Sequence, residues 1–238
     1  MIYFNKARLF GKFVLIDKVL TPEDELQLGR SKTIKETYDF ILKDLKDAAS
    51  GLPENAENGY FTKGAALALK AEVALHGASY IETGKEDYYK EVKTSSEELF
   101  KLGYSLDSDY KKMFNDYDYA SNSKEIIFAL WRNKSVTQYK DTPMQQFTPN
   151  AETNVLHDFA WPKLKQNFLG WGNRWPSQDL VDEYEVIDRD GKAKKWNETS
   201  YYEDYINNPG TYWVSDHLYK HRDQRFYASI AYDSTYIY

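Results

Sequence analysis

Between residues 161 and 178 the side chains best suited to chemistry crowd together, with Trp161, Trp171 and Trp175 interleaved with Asn167, Asn173, Arg174 and Gln178. Sugars present flat C–H faces that stack on indoles, and hydroxyl edges that bond to amides and guanidinium groups, so this mix is apt for a saccharide. Gly170 and Gly172 flank Trp171 and let its backbone bend outward. The competing reading makes these indoles anchors that fasten an irregular segment onto neighbouring helices. For Trp175, beside Pro176 at an expected helix start, the anchoring reading is preferred; for Trp161 and Trp171 both stand. Trp161, Trp171, Trp175, Asn173 and Arg174 are the candidate ligand-binding residues.

Other constellations offer less. Asp179, Asp182, Glu183, Glu185, Asp188 and Asp190 are where paired acid and base work of a glycosidase would be sought. Strung along one short amphipathic helix and its turn, they read as a solvated face. With Gly191 in the glycine place of a calcium loop, Val186 takes the first ligand position and Asn197 the last, which fails as an EF-hand and leaves an Asp-Gly turn. His217 and His221 are four apart, with Asp216 and Asp223 nearby, but zinc would need a third ligand from elsewhere. Catalytic residues, a metal and a cofactor are therefore not expected.

Composition narrows the classes further. The net charge of −6, with both signs interspersed, gives no basic face for a phosphate backbone, so nucleic acid is excluded as an expected partner. No cysteine is present, which removes disulfides, thiolate metal sites and cysteine nucleophiles. No window has the uninterrupted apolar length of a membrane span. Aromatic content is 16%, with 21 Tyr, and all six Trp lie after residue 130; the second half of the chain is where ring stacking is concentrated.

Two helices must organise the frame. Thr33 followed by Glu36 is a capping box, after which Ile34, Tyr38, Ile41, Leu42, Leu45 and Ala49 form one apolar stripe that Gly51 and Pro53 end. A second helix opens at Thr62 and runs through Ala65, Ala66, Ala68, Leu69, Ala71, Val73, Ala74, Leu75 and Ala78. Alanine on several faces predicts neighbours on both sides. A third helix is predicted over 86–102, with Tyr89, Val92, Leu99 and Phe100 as its apolar face, and a short one over 109–115. Ahead of the pair, Leu9 to Ile16 make an apolar stretch followed by a polar loop with Pro22. Strand-like texture marks Ile126 to Trp131 and the alternating Phe226, Ala228, Ile230 and Tyr232. Pro176 is expected in the first turn of a helix bearing Leu180, Val181 and Tyr184.

These elements resemble the SusD/RagB family of Bacteroidetes outer-membrane nutrient-binding lipoproteins. The resemblance rests on Arg30, Tyr38, Ile41, Asp44, Leu45, Ala48, Leu52 and Pro53, then Thr62, Lys63, Ala65 and Ala66. It continues through Asn122, Glu125, Ile126, Ile127 and Phe128, the run PSQDLVDEY at 176–184, and Arg222, Asp223, Arg225, Phe226, Ala228, Ile230, Tyr232 and Asp233. It implies a mainly α, SusD-like fold. Residues 1–120 would form a tetratricopeptide-like helical array, and 121–238 an irregular ligand-binding segment with short strands and one short helix, packed on the array as one domain. It also implies that the chain enters a longer relative partway, with the secretion signal and lipid-carrying Cys missing here, and stops before the family's final helices. The implied role is non-enzymatic: a glycan-binding protein on the outer surface of the outer membrane, held there by a lipid anchor, capturing oligosaccharide or polysaccharide for a SusC-like TonB-dependent transporter. The alternative is a helical-repeat scaffold whose partner is another protein.

Overall fold

The computed structural model describes residues 1–24, 28–57, 59–131, 146, 150–151, 168–169, 171–210 and 218–232. The chain divides into two compact units, Met1–Ser108 with Asp116–Trp131, and Asp109–Asn115 with Arg132–Tyr238. It is mainly α; among the described residues, strands occur only as two short antiparallel pairs.

The first unit is built on three long helices. Thr33 caps α2 (Ile34–Gly51), accepting from the Glu36 amide at 3.0 Å. The Glu36 carboxylate accepts from the Lys32 amide at 2.6 Å, one residue before the cap the box predicts. Thr62 caps α3 (Lys63–Tyr80) in the same way, accepting from Ala65 at 3.2 Å. As its alanines predict, α3 lies between α2 and α4 (Lys85–Phe100). The close approach uses Gly77: a Cβ there would fall 2.7 Å from the Tyr88 ring and 2.8 Å from the Tyr38 ring. Tyr38, Ile41, Leu45, Val73, Ala74, Ala78 and Tyr88 form the core with Phe4, Ala7 and Phe13. Across α3 and α4 the nearly buried Lys70 ammonium meets Glu91 at 2.6 Å, and Ser95 donates to the same carboxylate at 2.8 Å. Burial pushes the Glu91 carboxyl up, but Lys70 and Ser95 together outweigh it and hold it below its ordinary value.

Several expectations for this unit are corrected. The opening helix, α1 (Ile2–Phe10), ends inside the predicted apolar stretch: Gly11 at φ 64 stops it, Phe4 and Ala7 face the core, and Leu9 and Phe10 are exposed. On α4 the buried positions are Tyr88 and Ser95, whereas Tyr89 and Phe100 face solvent. Tyr88 is preferred inside because its hydroxyl donates to Asp39 of α2 at 2.8 Å. Residues 122–131 follow a short helix, α6 (Tyr117–Ser121), and form no strand. They are tied down instead by side chains: Glu125 accepts from the Asp107 amide at 2.7 Å, and Phe128 stacks on Phe61 with centroids 4.7 Å apart.

In the second unit α5 (Tyr110–Asn115) packs on α9 (Gln224–Ser229). Between them in sequence come β1 (Asn150–Ala151) paired with β2 (Phe168–Leu169), α7 (Gln178–Asp182), the hairpin of β3 (Val186–Ile187) with β4 (Ala193–Lys194), a 3-10 turn (Trp196–Glu198) and α8 (Ser200–Asn207). The predicted strand over 226–232 is a helix over 224–229. Asp223 caps it, accepting from the Arg225 amide at 2.7 Å, and Phe226 alone is fully buried, among Tyr184, Tyr219, Tyr227 and Tyr232. One buried ring in six residues satisfies a helical turn as well as an alternating strand, and the cap decides between them.

Candidate ligand-binding site

The described part of the tryptophan segment begins at Trp171, where the indole is 63% exposed, and reaches Trp175, where it is 80% exposed. Neither is packed as an anchor, contrary to the reading preferred for Trp175. Between them the chain is pinned through its backbone: the Asn173 and Arg174 amides both donate to the Gln146 carbonyl at 3.1 Å, and Arg174 Nε donates to the Gln146 side chain. The side chains of Asn173 and Arg174 are exposed, so the stretch presents two indoles, an amide and a guanidinium to solvent. Trp161 and Asn167 lie outside the described residues.

Just beyond it, Ser177 caps α7 by accepting from Leu180 at 3.2 Å. Pro176 therefore stands outside the helix instead of in its first turn. Only Val181 of the expected apolar face is buried, and Leu180 is exposed. Val181 and Tyr184 are held by Arg222, a side chain the sequence reading matched to a motif but did not place inside. Its Nη1 donates to the carbonyls of Val181 at 3.1 Å and Tyr184 at 2.8 Å, and its Nε to Leu218 at 2.8 Å. The guanidinium lies 5.7 Å over both the Trp196 and Phe226 rings. Burial pushes its pKa down, with the Asp182 charge opposing, although the group stays protonated over any working range.

Asp179, Glu183, Glu185 and Asp190 are exposed and Asp182 is half-exposed, as a solvated face requires, and Asp188 is the exception. Asp188 is 5% exposed and accepts from Lys194 at 2.5 Å, from the Ser200 hydroxyl at 2.6 Å and from the Ser200 amide at 3.1 Å. It joins the β3–β4 hairpin to the start of α8, and the Lys194 bond, then the Ser200 bond, hold its carboxyl well below the usual range. Asp190 meets the same Lys194 at 3.1 Å, Glu183 meets Lys195 at 3.0 Å, and Asp182 accepts from Gln178 at 2.8 Å. Of these, Asp188 ties elements together from inside, and the others pair at the surface. Among the described residues no group of three or more His, Cys, Asp and Glu could hold a metal. The Asp-Gly turn is present, with Gly191 at φ 77. His221 stacks on Tyr201 at 4.8 Å; His217 lies outside the described residues. The burial of Asp188 had one signal in the sequence, a Ser following Thr199 at a helix start, but no local pattern reports a contact twelve residues away.

An array of long helices followed by a loop-rich, aromatic unit on short elements defines the class, a mainly α helical-array protein. Residues 1–75 match a SusD-like family model described as starch-binding and associating with the outer membrane, and residues 124–238 match the SusD family model. The chain belongs to the SusD/RagB family. A crystal structure with xylogluco-oligosaccharide is similar at 22% identity and a TM-score of 0.47, over 58% of this chain and 28% of that one. The chain thus spans little more than a quarter of that neighbour's length. No curated protein matches it. Among the described residues no helix is long and apolar enough to cross a membrane.

Proposed function

We propose that this protein is a non-enzymatic glycan-binding protein of the outer cell surface that captures oligosaccharide and passes it to a SusC-like TonB-dependent transporter. The observation that carries the reading is the pair of exposed indoles, Trp171 and Trp175, on either side of Asn173 and Arg174, in a chain of the SusD family. Indole faces stack on pyranose C–H faces, and the amide and guanidinium bond to hydroxyl edges. Trp161 is assigned to the same ligand face. In this reading 1–120 forms the array that meets the transporter, and 121–238 holds the ligand. Affinity is set low enough for release, in the micromolar to millimolar range, about −8 to −4 kcal/mol.

Titration of intrinsic tryptophan fluorescence with plant, storage and host oligosaccharides tests it. A saturable shift with one class, weakened about tenfold (roughly 1.4 kcal/mol) in Trp171→Ala, supports the proposal. A flat response from folded protein to every glycan rejects it in favour of a protein-binding scaffold.

A further inference from the structure

The loop joining α2 to α3 forms one wall of a cleft that lies entirely within the first unit. Pro53 O accepts from the Lys63 amide at 2.8 Å and Glu57 O from the Tyr60 amide at 3.1 Å, which draws residues 54–57 and 59–62 into a rim. Facing it is the segment 126–131, fastened at both ends: Phe128 stacks on Phe61 with rings 10° from parallel, and Trp131 meets Tyr117 edge-on at 5.5 Å. Tyr104 completes the wall. Its ring lies against Gly64, where a Cβ would come within 2.7 Å of Tyr104 Cε2, so the glycine makes the room that the ring occupies. The cleft holds about 160 Å³ and is lined by Glu54, Glu57, Tyr60, Tyr104, Phe128 and Trp131, together with smaller and backbone groups.

Its charge is one-sided. Two carboxylates line it, and among the described lining residues there is no Lys, Arg or His. Lys63 approaches Glu54 only to 3.9 Å. Glu57 is exposed, as is Tyr60 beside it at 67%. Aromatic faces are electron-rich and attract a cation, and a carboxylate beside them adds a charge-assisted hydrogen bond of its own. An anion would meet two carboxylates, and a neutral polyol would gain nothing from the charge.

We propose that this cleft binds a primary ammonium group, held by Glu57 beside the rings of Tyr60, Tyr104 and Trp131. Two sources carry that chemistry, an amino sugar and the lysine side chain of a peptide. The assignment stands independently of the glycan reading, because none of these residues belongs to the segment 161–178.

The test is calorimetric titration of the full chain with glucosamine and with N-acetyl-lysine methylamide. Each is set against its uncharged counterpart, glucose and N-acetyl-norleucine methylamide. At least one ammonium compound is expected to bind about tenfold or more tightly than its counterpart, with the preference lost at high salt and in Glu57→Gln, and binding weakened in Tyr60→Ala. Preference for glucosamine identifies an amino sugar as the source, and preference for the lysine compound a peptide. Equal binding of charged and uncharged partners, no binding of either ammonium compound, or an unchanged preference in Glu57→Gln overturns the proposal. Glu57 is exposed on a loop, so Glu57→Gln is expected to fold, and its glycan titration reports separately on the tryptophan segment.

Discussion

The Tyr38 hydroxyl lies 2.8 Å from His76 Nδ1, joining α2 to α3 inside the first unit. Burial, with the Tyr80 charge second, pushes the phenol up to about 12, so it keeps its proton, and the imidazole tautomer sets which of the two groups donates. The imidazole is held neutral: burial, then the positive charge of Arg8, lowers its pKa from the ordinary 6.5, while Glu72 opposes.

A pH dependence follows from that pair. The folded imidazole binds a proton less readily than the unfolded one, so its contribution is fully present above about 6.5 and is lost as pH falls through the lowered folded value. The melting temperature is expected to drop between neutral pH and mildly acidic pH, and His76→Gln to flatten that part of the curve. Circular dichroism melts of both proteins across this range decide it; superimposable pH profiles would refute the assignment.

Gly77→Ala is expected to destabilise the protein even though alanine is the better helix former. Propensity favours the change by about 1 kcal/mol, but overpacking against the buried Tyr38 and Tyr88 rings costs about 1–3 kcal/mol. A net loss of up to about 2 kcal/mol in urea unfolding is predicted. Gly51→Ala, where nothing lies within 4 Å of the added carbon, is the control and should not destabilise.

Arg222→Lys should not be conservative. One ammonium cannot serve the Val181, Tyr184 and Leu218 carbonyls that the planar fork reaches at once. Leaving such acceptors without their charged donor costs about 2–3 kcal/mol. The loss would be read in denaturant unfolding followed by tryptophan fluorescence, since Trp196 lies against the guanidinium. Unchanged stability would contradict the role given to Arg222.

Asp188→Asn is expected to lower the melting temperature at neutral pH and to matter less in acid. The folded carboxyl lies below its ordinary 3.8, so its contribution is present above about 3.8 and disappears as pH falls through the folded value. Wild type and variant should therefore converge on acidification. A gap that stays constant with pH would show that the Lys194 and Ser200 bonds do not depend on the carboxylate charge.

Much of the first unit was legible because its signals are local. Thr33 and Thr62 cap the helices that their sequence contexts announce, the stripe from Tyr38 to Ala49 faces the core, and the alanines of α3 place it between two neighbours. The hydrogen bonds of a cap and the period of a stripe close within a few residues, so the sequence alone contains them. The family was legible for a related reason, since its motifs sit on those same elements.

Where contacts are distant in sequence, only the tertiary structure decided. Whether Tyr88 or Tyr89 goes inside depends on Asp39, 49 residues away. Whether Asp188 is a surface charge or a buried one depends on Ser200, and whether Trp171 and Trp175 anchor or project depends on what packs beneath them. The cleft beneath Tyr60 is made by residues some seventy positions apart, brought together by the stacking of Phe61 on Phe128. Burial is a property of the assembled chain and not of any window along it. The sequence by itself therefore determined the long helices α2, α3 and α4, their order and the family, while the structure decided which polar groups are inside and which aromatic rings meet solvent.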